Sequence, residues 1–401
     1  MIAVKRVNEK QIVDELTFAV LSVFLLYDFW FQYAVKTIDG ILSILGIIIM
    51  VLFFARLRLS IEFYRYILFV FLFILFSIVS GYLFALDRTT FSSLYIRILK
   101  YIIPMLCMYN YVGWDYLRLK KIMFVVAISV LALSISMFFS GKVDFMGAVI
   151  VGDLNSNVFS SFLLLGMTAN IFLLNSSNSK FLTILLIGVI AVELVAQLFA
   201  ASRRGILIFF FLIVTYIHSL ISIKYNTKPF YKIVTVIFIL AVVALVLVKF
   251  ESINDKFIII QEFGRTSGDS LRKQYQAVAW RLFLDNPICG QGLGCVQYRI
   301  GMYSHSLYYE LLSSVGIIGI FIIIYPLLRK AVAFWKGSNR IEDGNVEDKI
   351  QLRSMAWNVI AVLITGVAVV YIYDANFYIF IAIFASTQSV YIHKQRKLSN
   401  Y

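Results

Sequence analysis

Residues 304–325 read SHSLYYELLSSVGIIGIFIIIY. A polar step, Ser304-His305-Ser306, runs straight into an apolar stretch at 307–325. About 20 such residues suffice to cross roughly 30 Å of hydrocarbon as a helix. In lipid a lone segment must satisfy its own backbone hydrogen bonds, so the stretch is expected to be helical. Similar stretches recur along the chain, which is 61% hydrophobic and only 14% charged. A water-soluble domain of 401 residues needs far more charge to cover its surface. The reading is an all-α, polytopic membrane protein, a single integral membrane domain over 1–401.

Apolar runs place spans near 14–34, 40–55, 66–86, 93–112, 122–140, 156–175, 181–201, 205–223, 233–249, 305–327, 355–373 and 375–392, about twelve in all. The first lacks a small-residue cleavage site and reads as a retained span. Alternate loops then differ in lysine and arginine. Lys5, Arg6, Lys10, Arg56, Arg58, Arg65, Arg118, Lys120, Lys121, Lys180, Lys224, Lys228 and Lys232 fall on one side with the basic residues of the 329–354 loop and of the carboxyl tail. Roughly 22 of the 36 basic residues lie there, which makes that side cytoplasmic and puts both termini inside. Most of the net charge of +14 is thereby a topology signal, and it requires no nucleic acid.

The basic residues outside that pattern carry more information. Arg97 and Lys100 fall within a span and share a helix face, Arg203 and Arg204 sit at a span end, and Arg265, Arg272, Lys273, Arg281 and Arg299 occupy residues 250–304, a long extracytoplasmic loop. A cation near bilayer depth costs about 2.5–3.5 kcal/mol, so it faces a cavity or an anionic partner. Within the loop, Asp269-Ser270 reads as the cap of a helix over 271–284 that Asn286-Pro287 ends. Leu271, Tyr275, Val278 and Leu282 form its apolar face, with Arg272 and Gln276 on another. The turn Gly290-Gln291-Gly292-Leu293-Gly294 follows, either a tight structural turn or a cradle of backbone amides for an anion. Cys289 and Cys295 bracket it and are placed to pair on an oxidising side; Cys107 falls in a span. Two thiols without a His or carboxylate cluster are a poor ligand set, so no metal site is expected.

In order and spacing these features resemble the bacterial O-antigen ligase and O-antigen polymerase superfamily. The resemblance rests on Arg272, Pro287, the Gly290–Gly294 turn and His305-Ser306, then nine residues leading to Gly316-Ile317-Ile318-Gly319. It also rests on Ser202-Arg203-Arg204-Gly205 and on Asp153-Leu154-Asn155-Ser156-Asn157, which opens the sixth span. By motif it covers about residues 150–325. The resemblance implies a GT-C-like glycosyltransferase in the cytoplasmic membrane that works on undecaprenyl-diphosphate-linked oligosaccharide. It implies no cofactor and no metal, and a flippase and a chain-length regulator of the same pathway as partners. The polymerase reading leads; a ligase that moves finished glycan to a lipid A core is the alternative. A transporter of lipid-linked sugars would also place cations in a cavity, but related halves and midplane charges are not evident.

His305, a helix-mouth histidine by the bland reading, is the expected general base or acceptor-positioning group, since a neutral imidazole can take the proton of an attacking hydroxyl. Arg203 and Arg272 are expected to hold the diphosphate through charge-assisted hydrogen bonds. Arg204, Arg97, Lys100, Arg281, Ser306, Gly290, Gly292 and Gly294 complete the expected substrate contacts. Ser306 reads first as a helix cap, and Arg204 and Arg281 have snorkelling or solvated positions as their bland alternatives. Gly316 and Gly319 read as close-packing glycines within a helix. His218 and His393 read as structural or solvated.

Overall fold

The computed structural model describes residues 9–34, 40–58, 60–140, 142–143, 149–151, 154–200, 202–224, 267–341 and 345–399. The expected span at 233–249, loop residues 250–266 with Arg265, and Asp153 lie outside these. The described chain is helical: α1 (Glu9–Leu26), α2 (Ile41–Ala55), α3 (Leu68–Phe84), α4 (Arg88–Val112), α5 (Tyr116–Phe139), α6 (Ser156–Asn175), α7 (Lys180–Phe199), α8 (Arg203–Lys224), α9 (Ser267–Asp285), α10 (Cys295–Ile300), α11 (Leu307–Arg340), α12 (Val346–Thr365) and α13 (Ala375–Ser399). The exception is one antiparallel pair of two-residue strands, with Lys142 opposite Ile150.

Seven of these helices, α4 to α8, α11 and α13, are long and apolar enough to cross a membrane, and α2 and α3 are shorter apolar helices. The protein is therefore a multi-pass membrane protein. Large apolar side chains such as Phe181, Ile184, Leu185 and Ile187 of α7 stand exposed in a row, the surface that lipid covers. The bundle is centred on α6 and α13, which are almost wholly enclosed. Small residues let α6 sit there: a Cβ on Gly166 would stand 2.6 Å from Val130 of α5 and 2.6 Å from the Glu193 carboxylate of α7.

Two expected spans are broken, and both breaks shape the functional end of the molecule. The run at 355–373 is not one helix: α12 ends at Thr365, and residues 366–374 form a non-helical segment. Val369, Val370, Tyr371, Ile372 and Tyr373 in it are nevertheless buried. Its apolarity reflects burial in protein, which is where irregular backbone at such depth is tolerated.

The second break lies in α11 at Gly316, whose φ of 64° and ψ of −167° are not helical. An unbroken helix would pair the Ile317 and Ile318 amides with the Ser313 and Ser314 carbonyls. Instead those carbonyls accept from Gln291 N (2.8 Å) and Gly292 N (2.9 Å). The two amides donate to Pro287 O (2.9 Å) and Ile288 O (3.3 Å). Residues 287–292 thus splice into the gap and replace both lost helix bonds. Gly290 and Gly316 permit the approach: a Cβ on Gly316 would stand 2.3 Å from the Ile288 carbonyl oxygen. The break also corrects the reading of Gly316 as a packing glycine inside a continuous helix.

Helix α9 begins at Ser267, four residues before the expected start. Its buried face is Ala279, Leu282 and Phe283, with Val278 against them, whereas Leu271, expected on that face, is 51% exposed. The face packs on α10 and α11 because the splice fixes where α9 ends.

Candidate functional site

His305 lies in the non-helical step just before α11, with a φ of 59°, the single non-glycine residue in the left-handed region among the described residues. That conformation costs on the order of 1–2 kcal/mol and persists where surrounding contacts hold it. The holding contacts come from Glu310, one turn into α11 and fully buried. Its Oε2 accepts from Ser304 N at 2.9 Å and its Oε1 accepts from the Tyr373 hydroxyl at 3.1 Å. Ser304 Oγ donates to Ser306 O at 2.9 Å, which closes the step on itself. Ser306 occupies the N-cap position of α11 but its hydroxyl makes no cap bond, so the expected capping role is not seen.

The imidazole lies between two aromatic rings, Tyr275 of α9, stacked at 5.7 Å, and Tyr303 at 4.9 Å. Burial, then the charges of Arg272 and Arg204, hold its pKa below the usual histidine value. Those electrostatic couplings bring together three parts of the chain: the start of α8, the second turn of α9 and the mouth of α11. His305 thus sits within electrostatic range of two guanidinium groups, and burial and their charge both favour its neutral form.

Arg204 is steadied by the segment after α12, donating from Nη1 to Ala368 O at 3.0 Å. The same segment receives the start of α11, where Leu307 N donates to Gly366 O at 2.8 Å. Beside Arg204 lies a cavity of about 20 Å³, lined among others by Asn157, Ser160, Ser202 and Gly205, with room for one water. Ser202 Oγ donates to Asn157 Oδ1 (3.3 Å), and Gln197 Nε2 donates to Ser160 Oγ (3.0 Å). Asn157 of the first expected motif therefore meets Ser202, Arg204 and Gly205 of the second at this wall. The side chain of Arg203, the arginine expected to contact the ligand, lies outside the described residues; Arg204 is the one described beside His305.

Arg97 is engaged by protein, with Nη2 3.0 Å from Asp374 Oδ1. The Tyr303 ring packs on the imidazole, and its phenol pKa is raised first by burial and then by the charge of Asp374. Lys100 and Arg281 are exposed, and among the described residues no hydrogen bond or ring contact joins either to His305. The glycine turn is a structural turn at Gly290 and Gly292: the amides of Gly290, Gln291 and Gly292 donate to Asn286 O, Ser313 O and Ser314 O, so they are not free to cradle an anion. Gly294 forms the left-handed N-cap of α10, close against Thr90 and Leu94 of α4. Cys289, Cys295 and Cys107 are free thiols. Among the described residues no cluster of His, Cys, Asp and Glu is suited to a metal.

Sequence reasoning missed Glu310, Tyr373 and Asp374, which position the site. A signal was present for the last two: spans placed at 355–373 and 375–392 leave no room for a connection, and Gly366 and Asp374 are the residues at which the apolar run could break. No family model matches the chain, and no curated protein matches it significantly.

Proposed function

We propose that the chain is a membrane glycosyltransferase that polymerises undecaprenyl-diphosphate-linked oligosaccharide repeats into a surface polysaccharide on the outer face of the cytoplasmic membrane. One observation carries this reading: the 366–374 segment holds both Arg204 and the start of α11, beside His305, whose pKa is lowered first by burial and then by Arg272 and Arg204. A base within range of two cations suits a reaction that takes a proton from a neutral hydroxyl while negative charge grows on a nearby leaving group.

In this scheme the donor is a growing chain on undecaprenyl diphosphate and the acceptor is a sugar hydroxyl on a new lipid-linked repeat. The acceptor oxygen bonds to the anomeric carbon as the bond from that carbon to the diphosphate oxygen breaks. Arg204 and Arg272 hold the departing diphosphate, with Arg203 one residue from Arg204. An imidazole nitrogen of His305 takes the acceptor proton. The leaving group is already activated, so the scheme uses neither ATP nor a metal. The finer architecture belongs to the same proposal: about twelve spans, a GT-C-like arrangement, residues 250–304 outside and both termini inside.

Replacing His305 by Ala in the native host and separating its lipid-linked glycans tests the proposal. Accumulation of single-repeat intermediates is the expected result. Full-length polymer left on its lipid carrier would point instead to a ligase, and unchanged surface glycan would overturn both.

A further inference from the structure

The far end of the bundle holds a second cluster of arginines that the proposed reaction does not use. Helix α4 connects the two ends: Arg97 in its third turn belongs to the His305 end, and Gly113 just past its last turn stands against Arg58. Sixteen residues at 1.5 Å each separate the clusters by about 24 Å. At this far end Arg56, Arg58 and Arg118 line an open cavity of about 560 Å³, with Asp14 on the same wall and Val13 and Leu57 as apolar lining.

The arginines are held in place by aromatic rings. The Arg56 and Arg118 guanidinium groups lie 5.4 and 5.5 Å from the ring of Tyr111. The Arg58 group lies 4.8 Å from Phe63 and 5.5 Å from Trp114. Gly113 adopts φ +57°, and a Cβ there would stand 2.8 Å from Arg58 Nη2, so the glycine makes room for the guanidinium. This is a built arrangement in which the planar groups are fixed before any ligand arrives.

Their charge is only partly met. Asp14 pairs with both Arg56 and Arg118. Asp115 adds a contact to Arg118 at 3.5 Å but does not line the cavity. Arg58 has no carboxylate within ion-pair distance among the described residues, and the buried Arg56 Nε lacks a hydrogen-bond partner. Burial first, and then the charges of Arg118 and Arg58, push the Arg56 pKa down to about 10. Topology alone requires basic residues at a membrane surface but not their convergence. Lys120 and Lys121, one turn away, instead turn outward to Ser176 O (2.8 Å) and Glu15 (3.4 Å).

We propose that Arg56, Arg58 and Arg118 form a binding site for a phosphate group, carried by an anionic phospholipid headgroup or free in solution. Guanidinium forks match phosphate oxygens in pairs, and the apolar lining beside them accommodates the glycerol end of a lipid. The site is separate from the diphosphate site proposed at His305 and does not depend on it.

The test uses the full chain purified in a neutral detergent, with unfolding followed by tryptophan fluorescence. Dioctanoyl phosphatidylglycerol, dioctanoyl phosphatidylcholine and sodium phosphate are titrated separately. A saturable rise in Tm with phosphatidylglycerol, absent with phosphatidylcholine, assigns the site to an anionic headgroup; the same rise with sodium phosphate assigns it to the free anion. Arg58→Gln, which breaks no ion pair but gives up the ring contacts to Phe63 and Trp114, is expected to lower the unliganded Tm slightly and to weaken the effective ligand about tenfold or more. Should that variant fail to fold, Arg58→Lys keeps the charge but loses the fork, and a similar weakening is expected. No rise with phosphatidylglycerol or phosphate, or an equal rise in the Arg58 variant, overturns the proposal.

Discussion

Gly290 and Gly316 meet backbone to backbone, and a Cβ on Gly290 would stand 2.6 Å from the Gly316 nitrogen and 2.4 Å from the Ser314 carbonyl carbon. This contact lets residues 287–292 supply the hydrogen bonds that α11 loses at its break. The break in turn sets the position of the first turns of α11, which carry Glu310 and, through it, the His305 step.

Gly290→Ala is expected to destabilise the protein by about 3 kcal/mol, the sum of left-handed strain and a backbone overlap that no rotamer relieves. Gly301 is the control. It has a similar φ of +73° but nothing within 4 Å of an added Cβ, so Gly301→Ala should cost only about 1 kcal/mol. Thermal unfolding in detergent checks the pair, and equal losses would show that the splice contributes nothing.

The His305 environment predicts a pH dependence with a definite sign. Its folded pKa lies below the unfolded value, first through burial and then through Arg272 and Arg204. Protonation therefore disfavours the folded state: the neutral form's contribution is complete above pH 6.5 and is lost as pH falls through the lower folded value. Arg272→Gln removes one repelling charge and should move the pKa back up. The chain has three histidines, so replacing His218 and His393 by Asn leaves one imidazole to follow by NMR titration. In activity assays the acid limb should shift upward in the Arg272 variant, and a limb that stays in place would remove His305 from the role of base.

Much of the helical pattern was legible because it is written in local apolarity. Helix α6 spans 156–175, the bounds its apolar run indicates, and the structure adds an Asn155 side-chain cap on Asn157 N. What local pattern misses is backbone whose partners are remote. Gly316 looks like any glycine in an apolar helix, and only the arrival of 287–292 makes it a break. The 366–374 segment is as apolar as a span because protein surrounds it. The link from Arg204 to His305 crosses about a hundred residues, which no local pattern records. The residue types at the site were readable; Glu310, which orients the step, was not, since a buried carboxylate inside an apolar run has no local signature of its purpose.

Gly205 offers a test of the wall beside Arg204. A Cβ there would stand 2.3 Å from both Gln197 Nε2 and Ser160 Oγ. The amide can swing aside, but Ser160 is fixed on α6, so Gly205→Ala should separate α8 from α6 at a cost of about 1–3 kcal/mol. Because Arg204 is the preceding residue, activity is expected to fall more than stability does. Loss of Tm with full activity would show that the placement of Arg204 is not critical.

The Arg97–Asp374 pair fixes the end of the 366–374 segment to α4 across 3.0 Å, with side-chain exposures of 50% and 19%. The arginine is half open to its surroundings, so the pair is worth less than a fully enclosed one, but removing Arg97 leaves the better-buried carboxylate without its partner. Arg97→Gln is therefore expected to cost about 1–2 kcal/mol. Asp374→Asn should cost less, because the arginine it releases can reach water. The double variant should be more stable than the sum of the two losses predicts, with a coupling of about 0.5–1 kcal/mol. A double-mutant cycle of unfolding free energies measures that term. Strict additivity would mean that the pair does not hold the segment, and that Tyr373 on Glu310 and Ala368 on Arg204 suffice to position the site.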